Sequence, residues 1–462
     1  MMDRIGRSVA AISPGTLLPL WLRFRESPLS VRLAKGVFWS FLGAATSRGM
    51  GVVSSIFVAR LLGITAFGEF TVIQSTVGLF GTFAGLGLGI TVTKYVAELR
   101  ETDPVRCGRV IGLILLMGTV GGVAAGIILF WFADWFAANT LAAPHLAPLL
   151  RQSSALVLFT TLQGVYTGAL GGFEAFKKST QVNWVGALIG TPLLVLGTYC
   201  FGLQGAVCAS VLQVVLACVI GHMALLKESG QRGIRVTFDL DRTDFGILWR
   251  FSLPAFLSTL LSGPANWICN TLLVNQTEGY KEIALLNAAG TWKNFLSFLP
   301  LMMTSVLVPM LANLYREGKS EEFKNLLRRN LWINSGVCLA LVMPLVLLSS
   351  TILGWYGPEF MRGQAAFVLS LLGTAIVAAN NLLSRAMLAS GRAWVDLGFS
   401  GLWVVVLVVG CVVLIPRYKA AGLALSHIVA AVVLLFWQWC LVRKLFQSSS
   451  PIVPGICLPS CK

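Results

Sequence analysis

Charge is scarce in this chain of 462 residues: only 12% are Asp, Glu, Lys or Arg, where water-soluble domains carry about 25%. With 56% hydrophobic residues and a mean hydropathy of +0.79, that deficit excludes a soluble globular domain and predicts a polytopic membrane protein. Histidine is rarer still. His145, His222 and His427 are scattered, and neither an H-E-x-x-H pair nor a Gly-rich phosphate loop occurs. Most of the ten cysteines lie inside apolar stretches, where they behave as small hydrophobes. Cys457 and Cys461 form a lone C-x3-C in the tail, too little to define a metal site. No catalytic constellation is present, so neither an enzyme nor a cofactor is expected.

What is there is a series of apolar stretches long enough to cross a bilayer, each needing about 20 residues. The first two, 36–62 and 70–92, form an opening hairpin. Ten more follow, at roughly 110–133, 153–173, 182–201, 203–226, 251–274, 283–311, 331–354, 365–390, 395–415 and 422–441. The predicted fold is therefore all-α and integral to the membrane, with about twelve transmembrane helices in two six-helix lobes around a central cavity. The split at 202 is the weakest division. Between the sixth and seventh spans lies the longest internal connection, and the expected organisation follows from it. A cytoplasmic arm (1–35) precedes an N-lobe (36–226); a cytoplasmic loop (227–250) leads to a C-lobe (251–445) and a cytoplasmic tail (446–462).

Lys and Arg set the orientation. Alternate connections carry 26 on the side of the termini and six on the other, which places both termini in the cytoplasm. The same bias accounts for most of the net charge of +16 and removes the case for nucleic acid as a partner. The halves also echo each other. Phe41-Leu42 precedes Gln74 by 33 residues, and Phe256-Leu257 precedes Asn287 by 31. Internal duplication of this kind is typical of secondary transporters, whose substrate site lies between the repeats.

Three cations remain inside spans: Arg48, Lys293 and Arg385. None of the nineteen Asp and Glu lies well inside a span; Glu69, Asp134 and Asp396 sit at ends. Exporters of organic cations usually need a buried carboxylate, so cations without one suit an anionic substrate, and guanidinium suits phosphate through its two-pronged donor geometry. Structural roles compete with that reading. Arg48 and Lys293 could clamp helix carbonyls, and Arg385, about five residues from the cytoplasmic end of its span, could extend into the headgroups. Asn381 shares a helix face with Arg385. Amides such as Asn266, Asn270, Asn380 and Asn381 could join helices, although sugar hydroxyls would use the same groups.

Several phrases resemble a known family. The stretch from Phe57 to Glu101, with A-R-L-L-G at Ala59–Gly63, F-G at Phe67–Gly68 and G-L-G at Gly85–Gly87, is similar to the opening of polysaccharide flippases in the multidrug/oligosaccharidyl-lipid/polysaccharide exporter superfamily. SVLVPMLANLYREG from Ser305 and NNLLSRAMLASGR from Asn380 resemble its eighth and tenth spans. The resemblance implies translocation of polyprenyl-diphosphate-linked oligosaccharide repeat units across a bacterial inner membrane, with membrane lipids, a polysaccharide polymerase and a chain-length regulator as partners. Arg48 matches the position where such proteins often carry a first-helix arginine. Expected substrate contacts are Arg48, Lys293, Arg385, Gln74, Asn287 and Asn381. The long N-terminal arm and the missing ion-coupling acid depart from the pattern. A cation-coupled multidrug exporter and a membrane polysaccharide polymerase are the alternatives; the first lacks its buried carboxylate, the second its large extracytoplasmic loop.

Overall fold

A residue with positive φ turns the chain between spans in each half of the computed structural model, which describes residues 28–238, 260–389 and 393–447. The helix Pro28–Gly85 is two antiparallel arms, α1 and α2, meeting at Gly63 with φ 74° and ψ 170°. Such a conformation strains any residue with a Cβ. The helix Phe176–Gln231 divides the same way at Gly202 (φ 58°, ψ −136°) into α5 and α6. Ala393–Gln447 divides at Lys419 (φ 48°, ψ −124°) into α11 and α12. Gly202 and Lys419 thus hold nearly one conformation at equivalent corners of the two halves. The duplication suggested by sequence spacing is visible there as backbone geometry.

The remaining spans are α3 (Pro104–Trp131), α4 (Ala147–Gly172), α7 (Ser262–Val274), α8 (Gly279–Leu296), α9 (Ser320–Leu347) and α10 (Gln364–Ala389). These make twelve helical spans among the described residues. Local chemistry marks their ends. Asp103 caps α3 by accepting from Arg106 N at 3.0 Å, with Pro104 in the first turn. The second apolar stretch is not one continuous helix. It breaks at Leu86 and Gly87 (φ 43° and 69°) and resumes as Leu88–Leu99. The eighth continues past Ser297 as Phe298–Arg316. Threonine hydroxyls inside the spans bond back to the carbonyl four residues earlier, as Thr76 does to Val72 O at 2.9 Å, which satisfies those hydroxyls within their own helix.

Large exposed aromatics form two belts. Trp131, Tyr199, Phe201, Trp355 and Tyr418 ring the end of the bundle that carries Gly63; Tyr315, Trp332 and Trp394 ring the end that carries Arg100. Amphipathic rings at two levels are what the two membrane interfaces select.

The core is shared at one end and divided at the other. A single apolar cluster near the Gly63 end joins Val58, Phe67 and Ile73 to Ile283, Phe360 and Phe367, crossing from the first half to the second. At the Arg100 end, Val92, Ile111 and Phe173 belong to a cluster of the first half, and Leu311, Phe323 and Leu383 to a cluster of the second. Gly68 makes the shared end possible. A Cβ there would collide with the backbone carbonyl of Tyr280, so only glycine lets α2 meet the first turn of α8. Ion pairs tie loops within each half: Arg362 reaches Glu278 at 3.1 Å in the second half, and Arg100 reaches Glu174 at 2.5 Å in the first.

The residues 1–27, 239–259, 390–392 and 448–462 lie outside the described residues. With them lie most of the expected arm, much of the 227–250 loop, Phe256-Leu257 and the C-x3-C pair.

Candidate functional site

Two cavities flank α8, one on each face. The larger, about 350 Å³, is walled by α1, α2, α4, α5, α6 and α8. Nine side chains lining it are uncharged and polar: Ser47, Ser54, Ser55, Gln163, Asn183, Thr191, Gln213, Asn287 and Thr291. Among the described residues none that lines it is charged. Apolar residues such as Met50, Phe67, Phe70 and Leu194 complete it. This mixture of amide and hydroxyl groups with apolar faces suits a polyhydroxylated ligand, whose hydroxyls both donate and accept.

Helix periodicity explains which residues of α8 take part. Asn287 and Thr291, four apart, face the larger cavity; Leu286, Gly290 and Lys293 lie on the other side and line the smaller one. Asn287 donates to Thr71 Oγ1 on α2 at 2.6 Å, and the Thr291 and Ser55 hydroxyls are 3.5 Å apart. The cavity wall is thus pinned to α1 and α2 by groups that also line it.

Arg48 sits beside this cavity rather than in its lining. Its neighbours Ser47, Met50 and Gly51 face the space, while the half-buried guanidinium donates to Asn294 O of α8 at 2.6 Å. Asn294 is in the last turn of Gly279–Leu296, just before the break at Ser297 that separates it from Phe298–Arg316. Among the described residues Arg48 has no acidic partner. One fork of the guanidinium is used by the carbonyl, and the rest is open to another acceptor.

Of the other residues expected at the site, Gln74 is half-buried on the face of α2 that carries Phe67 and Phe70, one turn beyond the cavity. Lys293 is on the opposite face of α8 and belongs to the smaller cavity. Asn381 and Arg385 are exposed near the Arg100 end of α10, and the charge of Arg385 acts on Asp396 at the start of α11. Arg48, Gln74 and Asn287 therefore gather at the α1–α2–α8 junction, whereas Lys293, Asn381 and Arg385 do not join them. Asn380 is buried and donates to Ala431 O at 2.9 Å, joining α10 to α12. The residues that sequence reasoning passed over are Gln163, Asn183 and Gln213. Each is an isolated amide in an apolar span, the same signal that marked Gln74 and Asn287.

The fold is that of the transporters of the MOP superfamily. It matches an inward-facing multidrug resistance MATE family transporter with a TM-score of 0.70 at 15% identity, covering 90% of this chain and 100% of that one. It matches the lipid II flippase MurJ in an inward closed conformation with a TM-score of 0.72 at 14% identity, covering 89% of each chain. Residues 33–315 match the polysaccharide biosynthesis protein family model, and the chain belongs to that family. Among curated relatives, the EPS I polysaccharide export inner membrane protein EpsE of Ralstonia nicotianae is 24% identical over 409 residues, 86% of this chain and 91% of that protein.

Proposed function

We propose that this protein is a polysaccharide-export flippase of a bacterial inner membrane. It moves polyprenyl-diphosphate-linked oligosaccharide repeat units from the cytoplasmic to the periplasmic leaflet by alternating access. The observation that carries this reading is the larger cavity, lined among the described residues by nine amide and hydroxyl side chains and no charge, with a half-free guanidinium at its edge. Sugars take the amides and hydroxyls. The diphosphate takes Arg48, whose planar fork can bond two of its oxygens. The family match and the naming of EpsE as an export protein and MurJ as a lipid II flippase support the same direction.

The termini and the Arg100 end face the cytoplasm on this reading, in accord with the Lys and Arg bias. The apolar core shared at the Gly63 end then closes the periplasmic side, and the divided cores leave the cytoplasmic side free to part. Gln74 and Asn287 contact the glycan or the cavity wall. Arg385 extends toward headgroup phosphates, with Asn381 beside it. A polymerase and a chain-length regulator would act on the delivered repeat units. Drug export is disfavoured because no Asp or Glu lines either cavity among the described residues.

Deleting the gene tests this. Surface polysaccharide should fall and lipid-linked repeat units should collect in the cytoplasmic leaflet, scored with a membrane-impermeant oxidant on vesicles of each orientation. Sensitivity to cationic dyes with normal surface glycan would replace the proposal with drug export.

A further inference from the structure

The smaller cavity lies wholly in the second half, behind α8, and has about 150 Å³ bounded by α7, α8, α10 and α12. Its polar lining consists of Lys293, His427, Ser370 and Asn270. Among the described residues no acidic side chain lines it. Asn270 gives an amide hydrogen to Ser75 Oγ at 3.2 Å and keeps a second N–H. The side chains of Lys293, His427 and Ser370 have no hydrogen-bond partner among the described residues; the His427 ring lies tilted beside Trp403, 6.1 Å between ring centres.

We infer that this cavity is a binding site for a small monovalent inorganic anion of the halide class, held by the Lys293 ammonium with His427, Ser370 and Asn270. An ammonium within a span and without a carboxylate is costly, and an anion entering from solution removes that cost. The donor count favours it: ammonium, imidazole, hydroxyl and amide N–H groups converge on one space without a competing acid. The rest of the wall is apolar, with Leu286, Leu369, Val377, Leu423 and Ile428. Such a wall penalises a multiply charged, strongly hydrated phosphate, while one cation balances one negative charge. Because α8 separates the two cavities, this site is not an extension of the glycan space. An ion here links α8 to α10 and α12, and so reaches the other cavity through the helix that carries Asn287. The site rests on its own geometry, whatever the larger cavity carries.

The test uses the purified full-length protein in detergent, without any glycan lipid. Sodium chloride is titrated against sodium gluconate at constant ionic strength and neutral pH, and thermal unfolding is followed by tryptophan fluorescence. Chloride should raise the unfolding temperature saturably where gluconate does not, and bromide should substitute for it. Lys293→Met should abolish the difference between the two salts. Ser370→Ala and His427→Gln, which keep the ammonium, should each raise the half-saturating concentration by about tenfold, the loss of one hydrogen bond to a charged group. Bromide-soaked crystals should show an anomalous peak within hydrogen-bonding reach of Lys293 Nζ. Identical curves in chloride and gluconate overturn the site, as does an undiminished chloride effect in Lys293→Met. If that variant is not recovered folded, unchanged half-saturation in both Ser370→Ala and His427→Gln overturns it equally.

Discussion

Asn287 on α8 donates a 2.6 Å hydrogen bond to Thr71 Oγ1 on α2, and the Thr71 hydroxyl donates in turn to Phe67 O at 2.8 Å. The bond crosses between halves of the chain at a distance of 216 residues, and both ends flank the larger cavity. An amide in an apolar span is costly unless paired, so this link fixes α8 against α2 while leaving the carbonyl oxygen of Asn287 for a ligand.

Replacing Asn287 by Leu should therefore reduce both stability and transport. Stability should fall by about 1–3 kcal/mol, the cost of stranding the Thr71 hydroxyl and repacking the wall. Thr71→Val removes the same bond from the other side and should destabilise similarly, yet retain more transport because Asn287 still faces the cavity. Equal transport defects in the two variants at matched abundance would mean that Asn287 serves only as a helix tie.

Arg48 should be needed for more than charge. Arg48→Lys keeps a cation near Asn294 O but loses the fork, so surface polysaccharide should be partly retained. Arg48→Ala should leave little of it while the protein still reaches the membrane. Membrane abundance is the necessary companion measurement, because the bond to Asn294 O gives the arginine a packing role as well. Normal surface polysaccharide from Arg48→Ala at normal abundance would remove the diphosphate contact.

The spans were legible because hydrocarbon demands long apolar runs, and the described residues hold twelve helical spans. The quoted motif glycines also carried physical content: Gly63 takes a positive φ at the first corner, Gly68 admits the Tyr280 carbonyl, and Gly87 breaks the second span. The site was only partly legible. A polar residue in a uniformly apolar helix gives its presence but not its facing, because no amphipathic stripe points it inward. Gln163, Asn183 and Gln213 were passed over for that reason, and Lys293 was grouped with Arg48 although it lines the smaller cavity while Arg48, on α1, flanks the larger one. The bond from Arg48 to Asn294 O, 246 residues away, has no local sequence signal.

Topology can be tested directly. Reporter fusions after Gln447 and within 227–238 should give fluorescence with a cytoplasm-restricted reporter and no activity with a periplasmic phosphatase. Phosphatase activity at either position would invert the orientation and move the closed end of the bundle to the cytoplasm.

Glu228 should make the protein acid-sensitive. Its carboxylate lies in the last turn of α6, past the apolar stretch 203–226, and is bound by Lys178 at 2.6 Å and Arg232 at 2.9 Å. Burial alone would raise its pKa, but the hydrogen bonds and charges of Lys178 and Arg232 outweigh it and hold the carboxyl below its ordinary value of 4.5. A depressed carboxylate contributes stability that is full above the unfolded value and disappears as pH falls through the folded one. Glu228→Gln should thus lower the unfolding temperature at neutral pH, and the gap from wild type should narrow below about pH 4. A gap that persists unchanged to pH 3 would show that packing, rather than the ion pairs, accounts for the loss.

Lys419 holds a corner where its counterpart in the first half is glycine. Its φ of 48° and ψ of −124° differ little from the 58° and −136° of Gly202, and in that region a Cβ costs on the order of 1–3 kcal/mol. The next residue explains why the corner keeps its shape: Ala420 N donates to Glu282 at 3.2 Å, docking the turn onto the first helical turns of α8. Lys419→Gly should relieve the strain and raise the unfolding temperature in detergent, since the gain exceeds the added freedom of glycine in the unfolded chain. Lys419→Ala separates this from loss of the charge, because alanine removes the ammonium but keeps the Cβ. Gly should be more stable than Ala by about 1 kcal/mol, and Gly202→Ala should lose about as much. If Lys419→Gly melts no higher than Lys419→Ala, the corner is relaxed in the protein and the equivalence of the two turns has no energetic consequence.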